Sequence, residues 1–467
     1  MTLARLARAL RAGELSPREA VERYLRRIDE LDPVLNAYIT VRAEEALAEA
    51  DALLSASGRG PLWGVPVAVK DVIDVAGTST TAASRILADH VPAEDSHVVA
   101  RLRQAGAVLL GKLNQHEFAY GALSTSPHFG PVRNPWSPER ISGGSSGGNG
   151  AAVAADLAAG TLGTDTAGSI RIPSCHCGVT GLRPSVGRVS NRGVVPVAPS
   201  FDTVGPVART AEDCALLLGA VAGHDPADPA SLDEPVPPYG ELIGEGVRGL
   251  RVGVVASLVA GADPPVAAAV EEAVGVLGSL GAEVAPVEVP LVEQAGTIQQ
   301  AMQFPEATAT HLEWLRTRLP DYGADVRARL LVGLFLPHGV EETGRRARAA
   351  ARREMRRAFE RVDLLAAPAM PVLPPRIGSE TVELDRRETL YRLALIPYNS
   401  PWSLVGAPVA CVPCGFVEGL PVGLALVGPP LGEATVLSAA HAFQQATDWH
   451  ERRPELAMRD AGRAAPR

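Results

Sequence analysis

Lysine is almost missing from this chain of 467 residues. It stands only at Lys70 and Lys112, and the other 42 of the 44 basic residues are arginine. A lysine that survives such a bias is a candidate for work that arginine cannot do, because only lysine can give up its proton and act as a base. Cysteine is scarce as well. Five thiols (Cys175, Cys177, Cys214, Cys411 and Cys414) are too few for a disulfide framework and point to a reducing, cytoplasmic setting. Apolar residues make up 46% of the chain, enough for a substantial core. No apolar run reaches the roughly 18 residues of a spanning helix, which argues against membrane insertion. The N-terminus, MTLARLARALRAGELS, has neither the apolar core nor the cleavage site of a secretory signal and reads as an amphipathic first helix. With a net charge of −9 and no dominant basic patch, the chain is not patterned to bind nucleic acid by neutralising phosphates.

What is present has a clear order. Residues 1–60 read as a helical segment, with a capping box at Ser16-Pro17-Arg18-Glu19 and proline at the first helical position. The texture then changes. WGVPVAVKDVIDVAG reads as a buried strand ending at Lys70-Asp71, and GAVLLGKLN repeats the pattern after a helix near Ser96 to Gln104. LRVGVVA, VDLLAAPAMPV and APVACVPCGF are further strands. Strands alternating with helices predict an α/β fold, a single α/β/α sandwich around a mixed, mainly parallel twisted sheet. It would span residues 61–455, with a core over about 61–215, a helical insertion over about 293–360 and a tail at 456–467.

The stretch ISGGSSGGNG, Ile141 to Gly150, raises the question of function. A phosphate loop needs lysine and a hydroxyl residue after the last glycine, but Ala151 and Ala152 follow. A dinucleotide fingerprint fails at Val153. The nucleophile-elbow pattern fits Gly143-Gly144-Ser145-Ser146-Gly147, a weak match in any glycine run that holds a serine. The motif GTDTAGSIRIP, Gly163 to Pro173, places a second serine, Ser169, after a small-residue turn. A Ser-His-Asp triad stays formally open with ten histidines, although spacing singles none out. Cys175-His176-Cys177 and Cys411-x-x-Cys414 lack partners at zinc-site spacing and read as structural, so no metal is expected. His176 stands near enough to Ser169 to reach the edge of a pocket. Lys112 reads as structural.

Together, the strand ending Val69-Lys70-Asp71, the block Gly143 to Gly148 and the run Gly163 to Arg171 resemble the amidase signature family. RNPWSPERISGGSSGG, CGVTGLRPSVGRVS, GPVART and PCGFVEGLPVGLALVG extend the resemblance over most of the chain. It implies the family's fold and a Ser–cis-Ser–Lys triad, with Ser169 as nucleophile, Ser145 as bridge and Lys70 as base. A serine hydroxyl needs such a base, and burial after VPVAV would lower the lysine pKa from about 10.4. In the family the bridging serine follows a cis peptide bond, where flanking glycines relieve crowding. The resemblance further implies an oxyanion hole from the backbone of Thr166, Ala167, Gly168 and Ser169, where many relatives have glycine in place of Ala167. Asp165 and Arg171 would brace that turn, and Ser146 would hold Lys70.

The implied reaction is hydrolysis of a small-molecule amide, ester or carbamate, without cofactor. One branch of the family, the A subunit of glutamyl-tRNA amidotransferase, releases ammonia from glutamine inside a larger complex. It usually carries glutamine where this chain has Ile172, and Met-Gly-Ser-Ser-Thr-Glu-Asn where this chain has Tyr120 to Ser126. Both departures favour a free-standing enzyme, monomeric or homodimeric. A non-catalytic scaffold is the remaining alternative. Candidate pocket walls are Tyr120, Phe304, Trp314, Tyr322, Leu334, Phe335 and Trp402. Few charges interrupt these segments, which favours an apolar or aryl amide, anilide or carbamate over a dicarboxylate.

Overall fold

The computed structural model describes residues 1–55 and 58–458; of the expected tail at 456–467, everything from 459 lies outside the described residues. Eleven strands form the central sheet. In chain order they are β1 (Tyr38–Val41), β2 (Pro66–Lys70), β3 (Val108–Leu113), β4 (Gly160–Thr164), β5 (Thr180–Arg183) and β6 (Val204–Ala208), then β7 (Arg251–Val255), β8 (Glu283–Val287), β9 (Leu364–Pro368), β10 (Val409–Val417) and β11 (Leu420–Val427). Their order across the sheet is β1-β3-β2-β4-β6-β5-β10-β11-β9-β7-β8.

The sheet is mixed. Parallel ladders are confined to two flanks, β3-β2-β4 and β9-β7-β8. The five ladders between them, from β4/β6 to β11/β9, are antiparallel. The parallel share is therefore smaller than strand–helix alternation alone suggests. β10 and β11 form a tight hairpin joined at Glu418-Gly419, which forces antiparallel pairing in the middle of the sheet.

Local signals explain the framing helices. Pro17–Leu35 starts at a complete capping box, in which Ser16 Oγ accepts the Glu19 N–H and Glu19 Oε2 accepts the Ser16 N–H at 2.8 Å. One sheet face carries the short helix Arg171–Cys177, and the other carries Pro264–Ser279 and Glu433–Gln445. Glycines floor the first face. A Cβ on Gly181 of β5 would come within 2.1 Å of Ser174 Oγ, and one on Gly423 of β11 within 2.9 Å of Cys175 Sγ. Missing side chains on β5 and β11 thus let the Arg171–Cys177 helix settle directly on the sheet.

Residues 291–359 form three helices, Leu291–Thr317, Ala324–Phe335 and His338–Phe359, of which the first packs on Tyr391–Val405. All five cysteines are free and buried, and no group of three or more His, Cys, Asp or Glu is placed to hold a metal among the described residues. No helix among them is long and apolar enough to cross a membrane.

Candidate active site

Three segments converge at the carboxyl ends of the parallel pair β2 and β4. β2 delivers Lys70, and PVAVK is buried along its whole length. Lys70 Nζ donates to Ser145 Oγ at 2.7 Å and to Thr164 Oγ1 at 2.8 Å. Burial lowers its pKa to about 7, against the opposing pull of Asp165 and Asp202. A substantial neutral fraction therefore exists near neutral pH. Lys112, equally buried, differs. It is held by Asp71 Oδ1 at 3.1 Å and Thr80 Oγ1 at 2.7 Å, a closed ion pair inside the sheet.

The second segment is the glycine-rich loop. The Gly144–Ser145 peptide is cis. The Ser145 carbonyl accepts from the His116 N–H at 3.0 Å and from Ser124 Oγ at 3.1 Å. A Cβ on Gly147 would meet the Ser124 and Ser142 hydroxyls at 2.5 Å, so this loop packs too closely for side chains. Ser146 takes a different place from the one expected. Its Oγ donates to the Thr164 carbonyl at 3.1 Å and makes no bond to Lys70. The hydroxyl beside the lysine is that of Thr164, which the sequence does not single out although it lies inside the GTD motif. Ser146 instead pins the loop to the end of β4.

The third segment is the turn 165–169. Asp165 is fully buried. It accepts from the Gly168 N–H at 2.8 Å, the Ile170 N–H at 3.1 Å and Arg171 Nη2 at 2.8 Å, and it also pairs with Arg183. Burial by itself would raise the Asp165 pKa; the two guanidiniums and the N–H donors outweigh it and hold the carboxyl below the usual range. Arg183, on β5, was not legible as part of this brace. Gly168 has φ +114°, and a Cβ there would lie 2.5 Å from Asn399 Oδ1, so both conformation and space require glycine. Its N–H is already taken by Asp165. This corrects the four-residue oxyanion hole: the backbone donors left for that role are those of Thr166, Ala167 and Ser169. The turn is joined to the first insertion helix by Gln299 Nε2, which donates to the Thr166 carbonyl at 3.0 Å.

Ser169 is 8% exposed, whereas Lys70 and Ser145 are fully buried. Its carbonyl accepts the Ser146 N–H at 3.2 Å, which ties the turn to the glycine-rich loop. Ser169 Oγ has no hydrogen-bond partner among the described residues. The contact between Ser145 and Ser169 is therefore the one link of the expected triad that this structure leaves open, as catalytic hydrogen bonds in unliganded enzymes often are.

Ser169 opens into a cavity of about 120 Å³. Tyr120 and Phe304 line it as expected, together with Thr166, Ala167 and Ile172. The other aromatic candidates do not. Trp314 and Tyr322 pack on Phe118, with ring centroids 5.6 and 5.5 Å away, in a core that anchors the insertion to the loop before Tyr120. Trp402 is fully buried and donates to the Tyr398 carbonyl at 2.9 Å. Leu334 and Phe335 face solvent, Phe335 with 83% exposure. Helical periodicity turns them away from the core side of Ala324–Phe335, where Val326 and Leu330 are buried. Arg329 and Arg392 line the cavity instead. The premise of an uncharged pocket therefore does not hold. His176 lies behind the wall, with Nε2 2.6 Å from the Tyr391 hydroxyl.

Residues 19–437 match the family model described as Amidase. The chain is 42% identical over 486 aligned residues to the A subunit of the glutamyl-tRNA(Gln) amidotransferase of Moorella thermoacetica, with 98% of this chain and 99% of the relative covered. Among solved structures, it superposes on a chain of a vestigial protein complex bearing on the evolutionary origins of an s-triazine catabolic enzyme, with TM-score 0.91, 36% identity and 96% and 98% coverage. A crystal structure of an amidase matches with TM-score 0.87, 35% identity and 96% and 99% coverage. The chain belongs to the amidase signature family, whose members cleave carbon–nitrogen bonds.

Proposed function

We propose that the protein hydrolyses a small amide through an acyl-enzyme on Ser169. Neutral Lys70 accepts the Ser145 proton, and Ser145 accepts the proton of Ser169 Oγ as that oxygen attacks the amide carbon. The carbonyl oxygen becomes an oxyanion facing the N–H groups of Thr166, Ala167 and Ser169, where each well-aimed donor contributes about 3–4 kcal/mol. The carbon–nitrogen bond breaks, and the nitrogen leaves with the proton returned through Ser145. Water then repeats the sequence on the ester, giving the free acid and restoring Ser169. The observation that carries this reading is the buried Lys70 Nζ, 2.7 Å from Ser145 Oγ and without an ion-pair partner among the described residues. A base of this kind contributes roughly 10²–10⁴-fold. Incubation with a simple amide, followed by intact-mass measurement and an ammonia assay, tests it. Ammonia release lost in Ser169→Ala, with a transient acyl adduct on the unmodified chain, is expected. Equal release from Ser169→Ala would refute it.

A second reading is an amidotransferase component that works only with partners. It is favoured by the 42% identity to such a protein over nearly the whole chain. Ile172, in place of that branch's usual glutamine, lines the cavity and speaks for the free-standing enzyme. Ammonia release by the purified chain alone, or only after partner proteins are added, separates the two.

A further inference from the structure

The cavity at Ser169 has a charge pattern that hydrolysis of amides in general does not require. Among the described residues that line it, two are cationic, Arg329 and Arg392, and none is acidic. Arg329 comes from the insertion helix and lies over the Tyr120 ring, 4.9 Å from its centroid. One edge of its guanidinium meets Asp325 Oδ2 at 2.5 Å. A guanidinium has five N–H donors, so this pair does not exhaust it. Asp325 itself lines not this cavity but an adjoining one, together with Glu380. Arg392 stands on the wall common to both cavities, is exposed, and makes no ion pair among the described residues.

Two further observations describe the same wall. The Tyr120 hydroxyl is buried and has no hydrogen-bond partner among the described residues, an arrangement that leaves a donor unmet. Burial raises its pKa, and the fields of both Arg329 and Arg392 oppose that rise, so both cations act on the same hydroxyl. Gln300 and Gln303 add side-chain amides to the wall. Two guanidiniums and no carboxylate on the wall match an anionic oxygen group, because guanidinium binds carboxylate through paired N–H···O bonds. The cavity is also small, about 120 Å³ against roughly 300–1,000 Å³ for drug-sized sites.

We infer that Arg329 and Arg392 select a small amide tethered to a carboxylate, the half-amide of a short dicarboxylic acid, and disfavour its α-ammonium analogue glutamine. This rests on Ser169 as the reacting residue. An added ammonium would enter a pocket with two cations and no acidic lining residue. Desolvating it there has no compensation. Arg329 and Arg392 are thus specificity-determining residues. They were hidden in a sequence with 42 arginines.

Three ligands of one chain length separate the possibilities: glutaramate, valeramide and glutamine. Calorimetric titration into Ser169→Ala measures binding without turnover. Glutaramate is expected to bind at least tenfold more tightly than either of the others. Adding Arg392→Gln should remove most of that advantage while changing valeramide affinity less than twofold. Arg329→Gln should act in the same direction; should it disturb folding through Asp325, the exposed Arg392 carries the test alone. Equal binding of glutaramate and valeramide, tightest binding of glutamine, or a uniform loss across all three ligands in Arg392→Gln would overturn the inference. Ammonia release by the unmodified chain is scored separately. Ser169-dependent release without carboxylate preference removes only the inference. Carboxylate preference in binding without Ser169-dependent release removes the hydrolase reading and leaves the anion pocket.

Discussion

At the residue scale the chemistry turns on the protonation of one lysine. Lys70 has a pKa lowered to about 7 because its ammonium is stripped of water. The base is the neutral form, so activity should rise with pH through about 7, and kcat/KM should fall about tenfold for each pH unit well below it. A flat kcat/KM between pH 5 and 8 would contradict a lysine base. Lys70→Arg keeps a donor for Ser145 but cannot deprotonate, so it should lose about as much as Lys70→Ala, roughly 10²–10⁴-fold. Assay of kcat/KM on one amide for both variants decides this. The residues proposed to react were legible for a physical reason. Lysine is so scarce here that each one demanded a role, and serines amid glycines mark a backbone that approaches something closely. Thr164, Arg183 and the two cavity arginines were not legible, because nothing local distinguishes them from other threonines and arginines. Ser146 was misplaced because its bond runs to a backbone carbonyl on β4, a partner set by tertiary packing.

At the scale of elements, glycine on β4, β5, β6 and β11 sets how closely the helix Arg171–Cys177 lies on the sheet. Gly205 of β6 is the strictest case, since a Cβ there would come within 2.2 Å of the Leu182 carbonyl oxygen and 2.9 Å of Ile170 Cδ1. Gly205→Ala should cost about 1–3 kcal/mol in a denaturant melt, in the range of overpacked cores, and should lower kcat through the shifted Ser169 turn. An unchanged midpoint with full activity would show that the floor yields. Strands β2, β3, β7, β9 and β10 and the Ser16 capping box could be read from the sequence, because burial patterns and caps act within a few residues. The antiparallel centre of the sheet could not, since it joins strands such as β5 and β10 that are more than two hundred residues apart. Trp314, Tyr322 and Trp402 failed as pocket walls for a related reason. Trp314 and Tyr322 do support the pocket, but from behind, through Phe118.

At the scale of the whole molecule, the core helices bring two insertion-side walls, Leu291–Phe335 and Tyr391–Val405, over the carboxyl ends of β2 and β4. Every group the proposed reaction needs comes from this one chain. The purified protein should therefore release ammonia from a small amide with no other protein present and with EDTA in the buffer. Release that appears only with added partner proteins would favour the amidotransferase reading. Covalent capture of the nucleophile tests the central assignment most directly. After reaction with a fluorophosphonate probe, peptide mass spectrometry should find the label on Ser169, strongly reduced in Lys70→Ala. Label on Ser145 instead, or equal labelling of Ser169 without Lys70, would contradict the Ser169–Ser145–Lys70 order.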